Sequence, residues 1–357
     1  MKNFFRLSLL LITAAIFAGP PTPPSQPAAG PGGKACPHAA VRKLGPFGEG
    51  GRAFWLYEPD APAPASAPVV AFLHGYTGVD AKVYGNWIEH IVKRGNVVIY
   101  PVYQTSLLRP EDYTGNALAA LKAAFRLLEE PGHVHPDAAA NFAFVGHSLG
   151  GPISANLAAL AQEEGLPRPK AFMACHAGDT NVLKTLPPLL LPPKDIPDLL
   201  LLVVVGAADH LIGDVTGREI FFRSSGVRPE NKNLILLPSD DHGRPALVSN
   251  HFAPLSLNEG YANGARLGIG LQETDLPSAL RSGLTSKIRR GATMPESFGR
   301  TDALDFYGYW KWFDALTDAA FFGTHRDSAL GNTTAQKCLG HWSDGRPVIP
   351  ATVEQAK

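Results

Sequence analysis

NFAFVGHSLGG, residues 141–151, is the stretch from which the rest of the chain can be read. Phe142, Ala143, Phe144 and Val145 form a short apolar run that predicts a buried strand. Gly146-His147-Ser148-Leu149-Gly150 is a G-x-S-x-G pentapeptide. Behind it Ile153, Leu157 and Leu160 recur at helical spacing, with Pro152 in the first turn, where its missing N–H is harmless. Strand, Gly-flanked turn and helix together make such a pentapeptide a nucleophile elbow. The turn holds the serine in a strained conformation, and the glycines remove the Cβ atoms that would collide as strand and helix approach. The Ser148 hydroxyl is then left exposed above the strand end, and the Leu149 amide can point at a developing oxyanion. With 36 glycines in 357 residues, composition alone gives on the order of 0.2 chance matches to the pentapeptide. The flanking strand and helix therefore carry the argument; without them the stretch is an ordinary Gly-rich connection with a serine cap.

Outward from this stretch, strands are predicted over 52–58, 69–73, 96–100, 171–175, 199–205 and 233–237, the last being the final strand. Between them lie helical patterns: one capped by Asp80 with Tyr84, Trp87, Ile88 and Ile91 on one face, one carrying Leu118, Leu121, Phe125 and Leu128, and one from about 302 to 322 with Tyr307, Trp310, Phe313 and Leu316. Apolar strands without alternation, separated by helices, indicate a mostly parallel sheet buried on both faces. In such sheets reactive groups gather outside the carboxyl ends of the strands. Here those ends carry His74, Tyr103-Gln104, Ser148, His176, Asp209 and Asp241-His242, as one shared site would require. Residues 185–197, Pro-interrupted and apolar, and 255–300, Gly-rich with the basic cluster Lys287-Ile288-Arg289-Arg290, break the alternation and read as lid-like rim insertions.

A serine hydroxyl needs a base, and the base needs an orienting acid. In the order Ser, acid, His, the acid follows a later strand. Asp209, just past 199–205, is the favoured position; Asp179 and Asp214 compete with it. For the base there are two histidines. His242 in SDDHG lies nearer the last strand, and His251 in SNHFAP lies farther on. The loop His74-Gly75-Tyr76 offers the Tyr76 amide as a second oxyanion donor beside Leu149, with His74 a structural turn residue.

The two ends add context. Residues 1–18 have Lys2 and Arg6 followed by a short apolar run and small residues, the composition of an export signal rather than a membrane span. Residues 19–35 are rich in Pro, Gly and Ala and read as a loose linker to a single domain over 36–357. Lys+Arg and Asp+Glu are both 32, so the net charge is zero and nothing indicates a nucleic-acid partner. Of the three cysteines, Cys36 and Cys338 lie near the ends of the folded region and are expected to pair, leaving Cys175 buried and free.

FLHGYTG (72–78), GHSLGG (146–151), GAADH (206–210) and NHFAP (250–254), in this order, resemble the secreted α/β-hydrolase superfamily, and within it the bacterial lipase, cutinase and polyester-hydrolase branch. The resemblance spans about 69–322 and implies the α/β-hydrolase fold: a mostly parallel sheet flanked by helices. In that branch the base stands in a Ser-His-Phe-Ala-Pro string before a final Trp-containing helix, which implies His251 ahead of Trp310-Lys311-Trp312-Phe313. This chain differs in having Asn250 before the histidine and a long segment, 255–300, before the helix.

The expected activity is ester hydrolysis through an acyl-enzyme on Ser148, with a small-molecule or lipid-like ester as substrate. Acyl transfer by the same triad, and a non-catalytic binding module on this fold, are the readings from other classes. No cofactor or metal is implied, because no His/Cys/Asp cluster has ligand spacing along the sequence. The apolar stretch Leu189–Leu191 favours an acyl or aromatic ester over a charged one.

Overall fold

The computed structural model describes residues 19–106, 109–137, 139–179, 188–265 and 298–356. Residues 1–18, where an export signal is expected, the basic cluster at 287–290, residues 185–187 and most of the excursion between 255 and 300 lie outside the described residues.

In chain order the elements are β1 (Ala40–Phe47), β2 (Ala53–Asp60), β3 (Ser66–Ala67), β4 (Val69–Leu73), α1 (Gly85–Lys93), β5 (Val97–Val102), α2 (Tyr113–Leu128), β6 (His135–Pro136), β7 (Phe142–His147) and α3 (Gly150–Leu160). They continue as β8 (Ala171–Cys175), β9 (Leu200–Gly206), α4 (Val215–Arg223), β10 (Lys232–Leu237), α5 (Trp310–Phe322), the short α6 (Arg326–Ala329) and α7 (Thr334–Lys337), and β11 (Thr352–Gln355). Nine strands form one sheet in the order β1-β2-β5-β4-β7-β8-β9-β10-β11, and β3 pairs with β6 apart from it. The block from β5 to β10 is parallel; β1, β2 and β11 are antiparallel additions at the edges.

The continuous apolar runs are explained by two cores, one on each face of the sheet. Val69, Ala71 and Leu73 of β4 point with Phe144 and Val203 toward α2, α3 and α4, where Leu121, Ile153 and Ile220 meet them. Val70 and Phe72 point the other way with Val145 and Val204, against Trp87 and Ile88 of α1 and Phe313 and Leu316 of α5. A strand with both faces covered needs no polar alternation, which is why these strands are legible in the sequence.

Three expectations are corrected here. The strand ending at Leu237 is not the last, because β11 pairs with β10 through Asn233↔Gln355 to Leu236↔Thr352. Neither β11 nor β1 has an apolar run to announce it, and β1 is broken by a register shift between Leu44 and Phe47. The Pro/Gly-rich residues 19–35 are not loose. Thr22 and Ser343 bond each other through backbone and side chain, the Arg244 amide donates to the Pro21 carbonyl, the Tyr307 hydroxyl donates to Ser25, and the Gly32 amide donates to the buried Asp314 carboxylate at 2.7 Å. Cys36 and Cys338 are not bridged; both are free thiols, as is the buried Cys175. Cys36 sits among Lys93, Arg94 and Asp314. The Cys338 carbonyl accepts Lys311 Nζ at 2.6 Å, and the Ala35 amide beside Cys36 donates to the Ala28 carbonyl at 2.9 Å, so each end is anchored by its own hydrogen bonds.

Asp80 caps the turn before α1 by accepting the Lys82 amide at 3.1 Å, as expected. The helix expected from about 302 starts at Ala303, is π-wound over Asp305–Tyr309 and continues as α5. Among the described residues no helix is long and apolar enough to cross a membrane.

Candidate active site

The turn after β7 puts Ser148 at φ 53, left-handed backbone that a side-chain-bearing residue rarely adopts. Local contacts enforce it. A Cβ on Gly146 would lie 2.2 Å from the Gly150 carbonyl oxygen, and one on Gly150 would lie 2.0 Å from that of Leu73. Only two glycines let the strand, the turn and α3 close this tightly. The Ser148 amide donates to the Cys175 carbonyl at 2.9 Å, tying the turn to the end of β8.

Three strand ends converge on this serine. His251 Nε2 is 2.9 Å from Ser148 Oγ, and His251 Nδ1 is 2.8 Å from Asp209 Oδ2. Asp209, just after β9, also takes the amides of Leu211 and Ile212 on Oδ1 at 3.2 and 3.0 Å. Burial pushes its carboxyl upward, but the hydrogen bonds and charge of His176 and His251 outweigh that and hold it well below the usual carboxylate range. Asp209 is therefore an anion that accepts only, and the facing ring nitrogens carry the protons.

The other candidates are placed elsewhere. Asp179 accepts the amides of Leu189 and Leu190 at 2.7 and 3.0 Å, so it pins the Pro-rich segment instead of orienting a base. Asp214 pairs with Arg218 at the start of α4. His242 lies closer to β10 in sequence but reaches Asp344 at 2.7 Å and Arg346, far from the serine. The reason is a pinch in the chain. Asp240 and Leu247 exchange backbone hydrogen bonds of 2.8 and 2.9 Å, and Ser249 N donates to Ser239 Oγ. Residues 241–246 are thereby looped out with His242, while buried Leu247 anchors the return that delivers His251.

The loop expected to supply an oxyanion donor passes close over Ser148: a Cβ on Gly75 would stand 3.2 Å from Ser148 Cβ. The Gly75 amide donates to Tyr84 and the Thr77 amide to Gln104, which fixes the peptides on either side of Tyr76. Leu149 follows Ser148 as the residue capping α3. His74 is buried, stacks on Tyr103 with ring centroids 4.1 Å apart, and is pushed down to about 4 by burial despite its hydrogen bond to Gly75. It is a neutral structural residue. His147 has a tying role. Its Nδ1 accepts from the Tyr84 hydroxyl and its Nε2 donates to the His251 carbonyl, both at 2.8 Å. One chain of hydrogen bonds thus joins the Gly75 loop, the elbow and the loop that carries His251.

Sequence reasoning gave His176 no partner in the site and overlooked Tyr309. His176 Nδ1 is 3.0 Å from the same Asp209 oxygen, and its Nε2 is 2.7 Å from the Tyr309 hydroxyl. Its position after a strand end was the available signal; Tyr309 had none, since it lies off the stripe of Tyr307, Trp310, Phe313 and Leu316. His176, Asp209 and His251 also bring three ligand atoms within 4.8 Å of one another, a donor set that spacing along the chain could not reveal. A metal ion there would have to displace both ring protons and detach His251 from its acid. The observed distances are those of ring N–H groups donating to a carboxylate.

No protein-family model matches the chain, and no curated protein matches it at a significant level. The site is therefore characterised by its own geometry: a buried, hydrogen-bonded Ser–His–Asp group with a second histidine on the acid, at the carboxyl ends of a mostly parallel sheet.

Proposed function

We propose that the protein is a serine ester hydrolase of the α/β-hydrolase type. The observation that carries this reading is the continuous set of hydrogen bonds from Ser148 Oγ through His251 to Asp209, 2.9 and 2.8 Å long, on a serine held at φ 53. In this reading His251 Nε2 takes the hydroxyl proton as Ser148 attacks the ester carbonyl. Asp209 stabilises the imidazolium that forms, and the Leu149 and Tyr76 amides receive the oxyanion. The imidazolium returns the proton to the leaving alcohol, and water repeats the cycle on the acyl-enzyme. Leu211, 39% exposed in the loop that follows Asp209, is read as apolar surface for an acyl or aromatic group. The basic-then-apolar start of the chain is read as an export signal.

Labelling by a fluorophosphonate probe and hydrolysis of short p-nitrophenyl esters test the proposal. Ser148→Ala should lose labelling and about 10⁴-fold or more in rate. A variant that kept more than roughly a tenth of the wild-type rate would refute it, because loss of a true nucleophile is far larger.

A further inference from the structure

We propose that His176 and Tyr309 are positioning residues for Asp209, forming a second hydroxyl–imidazole arm that fixes the acid and sets how tightly it holds His251. The inference rests on the reading of Ser148, His251 and Asp209 as a catalytic triad.

The two arms mirror each other through one oxygen. Asp209 Oδ2 faces Nδ1 of both rings, at 2.8 Å for His251 and 3.0 Å for His176. An ionised carboxylate requires a proton on each of those nitrogens, so each neutral ring presents a bare Nε2. That of His251 meets the Ser148 hydroxyl at 2.9 Å; that of His176 meets the Tyr309 hydroxyl at 2.7 Å. Burial lowers His176 against the opposing pull of Asp209, and raises Tyr309 well above its ordinary range, so the pair stays imidazole and phenol. The Tyr309 O–H must then donate, which holds the His176 proton on the side of Asp209.

The fold makes local concessions to this arm. His176 itself sits at φ 48. Gly206 lets its ring in: a Cβ there would lie 2.3 Å from His176 Cε1 and 2.1 Å from the Ser249 carbonyl oxygen. The helix that carries Tyr309 is π-wound over Asp305–Tyr309, a local irregularity frequent at functional sites. A residue that only filled space would need none of these.

The consequence is electrostatic. An oxygen shared between two N–H donors offers less charge to each, so the imidazolium forming on His251 is held less strongly than by an undivided carboxylate. The neighbours that face this group are His147, whose ring centroid is 5.0 Å from that of His251 and 6.3 Å from that of His176, with Tyr84 behind it. On the Tyr309 side stand Cys175, Asp305 and Asp302, the last paired with Arg300. Burial lowers His147 and raises Cys175, Tyr84 and Asp305, so Asp209 is the charge that both imidazoles see.

The test combines proton NMR of the low-field imidazole N–H signals with the pH profile of kcat/KM, in the full chain and in His176→Leu, His176→Asn and Tyr309→Phe. Two signals from the Asp209 group are expected in the wild type, told apart from those of the other carboxylate-bonded histidines, such as His90 on Asp314, by their response to the variants. His176→Leu should remove one and move the other downfield. The acid limb of the profile should rise by about half a pH unit, the effect of a hydrogen bond of ordinary strength. His176→Asn places an amide donor where Nδ1 stood, on a residue type that tolerates left-handed backbone, and should restore most of the wild-type limb. Tyr309→Phe keeps the shape and should weaken the His176 signal and move the limb in the same direction. If His176→Leu does not fold, the other two variants decide. An unmoved limb and an unmoved His251 signal in folded variants would overturn the arm and leave His176 a packing residue. Two signals that respond as stated in a protein that neither labels nor hydrolyses esters would keep the arm and sink the hydrolase reading.

Discussion

Asp209 accepts four hydrogen bonds, two from the amides of the loop that follows it and two from imidazoles. Burial alone would raise its carboxyl, so its depression measures how far those donors prevail. A depressed carboxyl adds stability that is complete above its unfolded pKa of about 4 and is lost as pH falls toward the folded value. Asp209→Asn should therefore lower stability at neutral pH and flatten its decline in acid, measured by urea unfolding across pH. The same variant should reduce kcat by about 10²–10⁴-fold through loss of imidazole orientation. The two histidines read as alternatives in the sequence separate cleanly here. His251→Ala should remove activity and fluorophosphonate labelling. His242→Ala should leave both intact, because the ring is bonded to Asp344 and Arg346 at the surface and such pairs contribute less than about 1 kcal/mol. Activity lost with His242 and kept without His251 would reverse the assignment.

At the scale of elements, the elbow is a problem of backbone clearance. Gly150→Ala would drive a methyl group to within 2.0 Å of the Leu73 carbonyl oxygen in the adjacent strand, an obstacle that cannot rotate away. It should destabilise by about 3 kcal/mol or more, the upper end for overpacking, whereas Gly115→Ala on α2, with nothing within 4 Å, should be neutral or stabilise by about 0.5–1 kcal/mol. Chemical denaturation of the two variants makes the comparison. The π-wound turn before α5 carries the opposite electrostatic case to Asp209. Burial, with Asp302 nearby, raises the Asp305 carboxyl well above its ordinary range, and its Oδ1 is buried without a partner. A raised carboxyl favours the fold at pH values below its unfolded pKa, and that contribution is lost as pH rises through the folded value. Asp305→Asn should accordingly raise the melting temperature at pH 7 to 8 and have little effect near pH 4. No gain at neutral pH would show that the ionised group is better compensated than its contacts indicate.

Over the whole molecule, the first described residues act as a strap. Residues 21–32 run across the region of Arg244, Ser343, Tyr307 and Asp314, which are far apart in sequence. Asp314 is shared between this strap and α1, because it also takes His90 Nε2 at 2.7 Å and lies 3.3 Å from Arg94 Nε. Removing the chain up to Gly33 should cost a few kcal/mol, and so lower the melting temperature by roughly 5 °C or more. An unchanged melting curve would show that the strap only lies on the surface. The unbridged cysteines lead to a simple check: the denatured, unreduced protein should titrate as three thiols, and peptide mapping should find no Cys36–Cys338 link.

The sequence by itself determined the parallel core of the sheet and the glycine-flanked turn at Ser148, and it favoured Asp209 among three carboxylates. Strands buried on both faces must be continuously apolar, so β4, β7, β8 and β9 are written locally, and each chemistry-bearing residue at their carboxyl ends inherits its place from them. The glycines around Ser148 are equally local, since the clash they avoid lies within one turn and the strand beside it. Tertiary structure decided what depends on how distant segments return. Whether His242 or His251 reaches Ser148 is set by the Asp240–Leu247 pinch, which no periodicity signals. The edge strands β1 and β11 exist because a partner's unsatisfied backbone groups await them, not because their own side chains demand it. His176 and Tyr309 are 133 residues apart. They meet at Asp209 because β8, β9 and the π-wound turn end at one point in space, and the sequence gives no local sign of that meeting.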